Sequence, residues 1–341
     1  MRSSDRERSR WPSWGRASIL GGLSAVALVV SVGPAQALPR PAQALPRPAR
    51  AAVLRVATTQ SGYAGSWGVY APDFPGTLAT VSSLQAEVGR RANYVMWYEH
   101  WAGPYSAFNA SDVEAVAANG STPVITWLSD DPTGAAITDS AIAAGRFDSY
   151  IRSWALGLRS LRIPVLLRLD PEMNGNWYGW SPGVNGQTAA EYVAAFRHVH
   201  DVFAAVGARN VSFVWSPNID YPGATPMAAL YPGDAYVNWV GLDGYNWGTT
   251  NGHQWQTPQQ VFGPSINELN AITRRPMLIT EVASTSVGGD KVAWINSFFS
   301  YLRSVPSVSG FIWFDASKET DWQIDSSPLA VAAFRDGLTG A

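Results

Sequence analysis

Three observations make this chain an α/β protein with a single (β/α)8 TIM-barrel catalytic domain. Eight short apolar runs of strand length recur along residues 53–341, most of them separated by helical or loop-rich stretches. Several are apolar on both faces, as in Val165-Leu166-Leu167 and Phe311-Ile312-Trp313-Phe314, which marks a parallel sheet covered by helices. No glycine-rich dinucleotide or phosphate loop follows any run, which lowers the competing open, doubly wound sheet. Eight strands alternating with helices are enough to close a barrel.

The expected strands are Trp67–Ala71, Tyr94–Trp101, Pro123–Ser129, Val165–Leu169, Val211–Trp215, Trp239–Tyr245, Met277–Glu281 and Gly310–Asp315. Helical periodicity lies between them. Phe147–Leu161 carries apolar residues at Tyr150, Ile151, Trp154, Leu156 and Leu158. Ala189–Phe203 opens after Thr188, with Glu191 three residues on, the pattern of a capping box. Lys291–Leu302 and Leu329–Phe334 follow strands seven and eight.

The N-terminal part is excluded from the fold. Arg2, Arg6, Arg8, Arg10 and Arg16 precede an apolar stretch, Ile19 to Val32, too short for an ordinary transmembrane helix. Ala35-Gln36-Ala37 then supplies a small-x-small cleavage site, so residues 1–37 are expected to be an export signal. The Pro/Ala repeat that follows makes residues 38–52 an expected extended linker. Removing residues 1–37 shifts the formal charge from −2 to −5, a poor match to nucleic acid or anionic membranes. The chain has no cysteine, which excludes disulfides, thiol catalysis and thiolate metal sites. Nor is there a histidine cluster with metal spacing: His198 and His200 are two apart on an expected helix and share no face. Catalysis is therefore expected to need neither metal nor cofactor. A secreted protein, acting as a monomer and free of the membrane once the signal is removed, is the expectation.

Two carboxylate motifs carry the chemistry. Arg168-Leu169-Asp170-Pro171-Glu172-Met173-Asn174-Gly175 is followed by Trp177 and Trp180, and Met277-Leu278-Ile279-Thr280-Glu281 closes the seventh strand. At the C-terminal mouth of a barrel, both glutamates can point into one cleft. Retaining glycosidases need such a pair, roughly 5–5.5 Å apart, one carboxyl an acid/base and the other a nucleophile. Tryptophan is abundant, 16 in 341 residues, and Trp97, Trp127, Trp177, Trp180, Trp215, Trp247, Trp313 and Trp322 fall at or near strand C-termini. Indoles there make stacking platforms for a flat, hydroxylated, uncharged ligand, and a sugar fits that description.

Arg168 through Trp180, Gly241-Leu242-Asp243-Gly244-Tyr245-Asn246-Trp247, Thr280-Glu281 and Trp313-Phe314-Asp315 closely resemble glycoside hydrolase family 26. The likeness runs from about Tyr63 to Leu338. It implies that Glu172 is the acid/base and Glu281 the nucleophile. It further implies that the Tyr245 hydroxyl bonds the nucleophile and that Trp177 lines the sugar subsite beside the cleavage point. Arg168 becomes a fixed cation near the nucleophile. The chain departs from the family at Pro171, where members usually carry histidine; Asp170 or His100 are the candidates to compensate.

Other positions read less sharply. Trp127, Trp180 and Trp322 are candidate stacking residues, and His100, beside Glu99 at the end of strand two, is a candidate cleft residue. Asn218 is open between a substrate hydrogen bond and backbone capping. Asp243 is expected to support Arg168 from inside the barrel. The resemblance implies a retaining endo-β-glycosidase on a plant-type polysaccharide. β-1,4-Mannan comes first, mixed-linkage β-glucan second and β-1,3-xylan third. A non-catalytic sugar-binding barrel and a transglycosylase are the rival readings.

Overall fold

In the computed structural model, residues 62–101, 107–130 and 137–340 are described. The expected signal and linker lie outside them. Eight parallel strands close into a barrel in sequence order: β1 (Ser66–Tyr70), β2 (Tyr94–His100), β3 (Thr122–Leu128), β4 (Val165–Leu169), β5 (Val211–Trp215), β6 (Trp239–Asn246), β7 (Met277–Ser284) and β8 (Val308–Phe314). β1 pairs with β8 to shut the ring. The TIM barrel expected from the sequence is the observed fold.

Helices wrap the outside: α1 (Ala79–Val88), α2 (Ala110–Ala118), α3 (Asp139–Ala143), α4 (Asp148–Leu161), α5 (Ala189–Val206), α6 (Met227–Leu230), α7 (Pro258–Ile272), α8 (Lys291–Ser304) and α9 (Pro328–Thr339). Local chemistry explains their ends. Thr188 and Glu191 form the capping box at the start of α5, and Gly207 ends that helix in the left-handed region that glycine adopts without strain. Thr257 and Gln260 cap α7 in the same way.

Side-chain parity divides the barrel into layers. Met96, Val124, Leu166, Val214, Leu278 and Ile312 come from six strands and meet as one apolar cluster on the axis. Each such burial contributes about 1.5–3 kcal/mol, and Leu166→Ala is expected to cost about 2–5 kcal/mol. Successive side chains along a strand alternate faces, so two residues onward each strand points inward again. Those next positions are Tyr98, Thr126, Arg168, Ser216, Thr280 and Phe314, a largely polar tier one step nearer the mouth. Gly241 lies between the tiers because a Cβ there would stand 2.6 Å or less from the side chains of Ser216 and Thr280.

The opposite parity corrects part of the indole reading. Trp97, Trp127, Trp215 and Trp313 sit on the outward face of their strands, fully buried beneath the helices. Trp127 packs against Trp101, Tyr150, Trp154 and Phe203, so it offers no face to a ligand at the mouth. Among the described residues no helix is long and apolar enough to cross a membrane.

Candidate active site

β4 stops at Leu169, and the chain then makes a strained turn. Asp170 and Glu172 both adopt left-handed backbone, with φ of 43° and 55°, on either side of Pro171. Left-handed non-glycine residues cost about 1–3 kcal/mol each and persist only where the surroundings hold them. Here five hydrogen bonds do so. Asp170 Oδ1 accepts from the Ser129 amide at 2.7 Å, and the Asp170 amide donates to Trp127 O at 3.1 Å. Trp180 Nε1 donates to Pro171 O at 2.9 Å, and the Glu172 amide donates to Ser216 O at 2.7 Å. Gly175 N then closes back on Glu172 O at 2.9 Å. This turn directs Glu172 into the mouth.

Glu281 reaches the same place by a different device. It is not the last residue of its strand, as the sequence suggested, because β7 continues to Ser284. Leu242 pairs with Ile279 but Asp243 pairs with Glu281, leaving Thr280 as an extra residue in β7. The pairing with β8 slips between Ile279 and Val282 in the same region. This β-bulge breaks the alternation, so the consecutive side chains of Thr280 and Glu281 both point into the barrel. Thr280 Oγ1 bonds Asp243 Oδ1 at 2.7 Å, and Glu281 takes the position above it.

The two carboxyl groups then meet opposite environments. Glu281 Oε1 accepts from Arg168 Nη1 and from the Tyr98 hydroxyl, each at 2.6 Å, and Oε2 accepts from the Tyr245 hydroxyl. One cation and two hydroxyls thus aim three donors at this carboxyl group. Glu172 is at least as buried, with one indole donor, Trp177 Nε1 to Oε2 at 2.9 Å. Burial, then the charges of Glu281 and Asp243, push Glu172 well above the ordinary carboxyl range, against the lowering pull of Arg168 and Trp177. The two carboxyl groups thus differ in their donors, Glu281 with a guanidinium and two hydroxyls and Glu172 with one indole.

Arg168 is the hinge of the polar tier. It is fully buried and donates to Glu281, to Asp243, to Thr126 Oγ1 at 3.1 Å and, through Nε, to Ser216 Oγ at 3.1 Å. Burial alone would lower its pKa, but the carboxylates of Asp243 and Glu281 outweigh it and hold the guanidinium well above its ordinary value. Asp243 occupies the supporting position expected of it. Burial likewise pushes the Tyr98 and Tyr245 phenols well up, so both remain hydroxyl donors. Tyr98 escaped the sequence reading, although the alternation Tyr94-x-Met96-x-Tyr98 already marks it as inward-facing.

The remaining candidates separate. Trp177 is half-buried beside Glu172 and meets Tyr221, a second missed aromatic, at 5.7 Å. Trp322 is corrected: it is 1% exposed, packed on Tyr245 at 5.1 Å and on Trp247 at 5.0 Å, so it backs Tyr245 instead of offering an open stacking face. Trp180 is corrected: it is buried, stacked on Tyr178 at 4.4 Å, and its indole N–H is committed to Pro171. It supports the turn instead of offering a platform. Asn218 gives its amide to Ile219 O at 3.0 Å, while its backbone N–H and C=O are both bonded by the Asn174 side chain, which is the backbone-capping alternative. His100 lies part-exposed at the rim with Nδ1 2.5 Å from Asp130 Oδ1. Among the described residues no group of three or more His, Cys, Asp or Glu side chains could hold a metal ion.

Residues 95–284 match the model of glycosyl hydrolase family 26. The chain belongs to this family. Endoglucanase H of Acetivibrio thermocellus is 38% identical over 266 residues, which are 76% of this chain and 29% of that protein. A mannan endo-1,4-beta-mannosidase of Bacillus subtilis is 25% identical over 225 residues, 63% of this chain and 56% of the relative. Beta-1,3-xylanase TXYA of a Vibrio species is 25% identical over 237 residues, 62% and 49% of the two chains. This family 26 chain thus spans under a third of the first relative and about half of the others. Its barrel superimposes on that of the Bacillus subtilis mannanase man26 with a TM-score of 0.60 at 19% identity, covering 81% of this chain and 86% of that one.

Proposed function

We propose that this family 26 chain is a retaining endo-β-glycosidase, with Glu281 as nucleophile and Glu172 as acid/base. The observation that carries the reading is the contrast between the two carboxyl groups. One accepts from Arg168 and two tyrosines; the other, also buried, has one indole donor and is pushed well above the ordinary carboxyl range. Glu281 attacks the anomeric carbon while Glu172 passes its proton to the leaving oxygen, which breaks the glycosidic bond and forms a glycosyl-enzyme. Glu172, now ionised, takes a proton from the water that releases the sugar. Half-exposed Trp177 stacks on the sugar beside the cleaved bond, while buried Trp322 backs Tyr245.

Mixed-linkage β-glucan is the substrate proposed first. A relative 38% identical over 76% of the chain is an endoglucanase, and Pro171 removes the histidine donor that members usually carry before the acid/base. β-1,4-Mannan, favoured by the resemblance alone, is the second reading, supported by relatives that are mannan endo-1,4-beta-mannosidases. Reducing-end release by residues 53–341 from mixed-linkage β-glucan, β-mannan, β-1,3-xylan and cellulose decides between them. Strongest activity on mixed-linkage β-glucan, absent in Glu281→Ala, is expected. Strongest activity on mannan makes the second reading correct, and none on any polymer overturns the proposal. We also propose export, directed by residues 1–37, and action as a monomer.

A further inference from the structure

A buried cation stands where the fold gives it no evident reason to be. Lys291 is the first residue of α8, only 4% exposed. A helix N-terminus repels positive charge, and burial disfavours an ammonium further. Burial lowers its pKa to about 8, against the raising pull of Asp321, Asp315 and Asp325. Such a group is kept only when its donors are engaged, and here they are. Lys291 Nζ donates to Gln323 O at 2.6 Å and to Asp321 O at 3.2 Å.

Those two carbonyls flank Trp322. The indole between them meets the ring of Tyr245 at 5.1 Å, and the Tyr245 hydroxyl donates to Glu281. The loop that carries Trp322 has further ties. Asp315 Oδ1 accepts from Ile324 N at 2.6 Å, Trp313 Nε1 donates to Trp322 O at 2.8 Å, and the Thr320 and Thr285 hydroxyls meet at 2.8 Å. The first two bind the loop to the end of β8. Lys291 and Thr285 are the ties from the β7–α8 side.

We propose that Lys291 is a positioning residue for catalysis, its ammonium clamping the loop on both sides of Trp322 so that the indole seats Tyr245 against the nucleophile. The catalytic consequence rests on the retaining mechanism proposed above; the clamp itself does not. Lys291→Met keeps the aliphatic stem and removes the donors, while Lys291→Gln keeps a donor without the charge.

Lys291→Met is expected to lose kcat/KM by roughly ten- to a hundredfold, the scale on which misplacement by up to 1 Å acts. Lys291→Gln is expected to recover part of that loss. In a Trp322→Phe background, Lys291→Met should add less than about twofold, because residues acting through one another are not additive. Hydrogen exchange of the amides of residues 316–325 should quicken in Lys291→Met while the barrel strands stay protected. Unchanged exchange in that loop, or the full Lys291→Met loss repeated in the Trp322→Phe background, overturns the proposal. If Lys291→Met does not fold, the same exchange and additivity readings are taken on Lys291→Gln. Loop exchange needs no turnover, so a protein inactive on every polymer still tests the clamp.

Discussion

Arg168 and Glu281 are joined by a hydrogen bond of 2.6 Å between two side chains drawn from opposite sides of the barrel, and the same guanidinium holds Asp243. One buried cation thus fixes two buried carboxylates, and the polar tier cannot lose it without leaving unpaired charge. Arg168→Met is expected to destabilise the fold by about 3–5 kcal/mol, the usual cost of breaking a buried pair from one side. Chemical denaturation measures it, and a loss below about 1 kcal/mol contradicts the role given to Arg168.

Tyr98 and Tyr245 donate to different oxygens of Glu281. Tyr245→Phe and Tyr98→Phe each remove one hydroxyl and little packing. Each is expected to lower kcat by ten- to a hundredfold, somewhat less than the roughly 10²–10³ seen for a lost oxyanion donor. Steady-state kinetics checks this; unchanged kcat in both shows that the hydroxyls do not set the state of Glu281.

As the proposed acid, Glu172 works only while protonated, so kcat/KM should fall as pH rises through its raised pKa. The Trp177 indole stabilises the ionised form and lowers that pKa. Trp177→Phe removes the N–H, so the alkaline limb of the pH profile should move to higher pH. Movement to lower pH contradicts the assignment.

Asp139 is a buried carboxyl with no hydrogen-bond partner on either oxygen among the described residues, pushed up to about 8 by burial, then by the charges of Asp170 and Glu191. A raised folded-state pKa gives stability that is fully present below about 3.8 and is lost as pH rises through about 8. Asp139→Asn cannot ionise and escapes that loss. The variant should gain on the wild type between pH 4 and 8, by on the order of a few kcal/mol at the upper end. Thermal unfolding across that range tests it, and a constant difference sinks the idea.

Much of this arrangement was legible before any coordinates. Strand runs buried on both faces announced the barrel, and the motifs around Glu172 and Glu281 marked the mouth. The indoles failed at Trp97, Trp127, Trp215 and Trp313 for a readable reason. Counting by twos along each strand from its inward residue, Met96, Val124, Val214 or Ile312, separates inward from outward positions, and all four indoles fall on the helix side. Trp180 was lost differently, because its bond to Pro171 O depends on how the turn after β4 folds. The bulge at Thr280 was not legible at all. Strict alternation after Thr280 would turn Glu281 outward, and only the pairing with β6 and β8 reveals the inserted residue.

The central claim is that Glu281 carries the sugar while Glu172 handles the proton. Trapping tests it most directly, with a 2-deoxy-2-fluoro glycoside bearing an activated leaving group, built on the oligosaccharide of the preferred polymer. Fluorine at C2 slows both steps, and the good leaving group lets the first outrun the second. Mass spectrometry of the digested protein should place one glycosyl adduct on the peptide containing Glu281, with none in Glu281→Ala. An adduct on Glu172, or turnover of the polymer that inverts the anomeric configuration, contradicts the account.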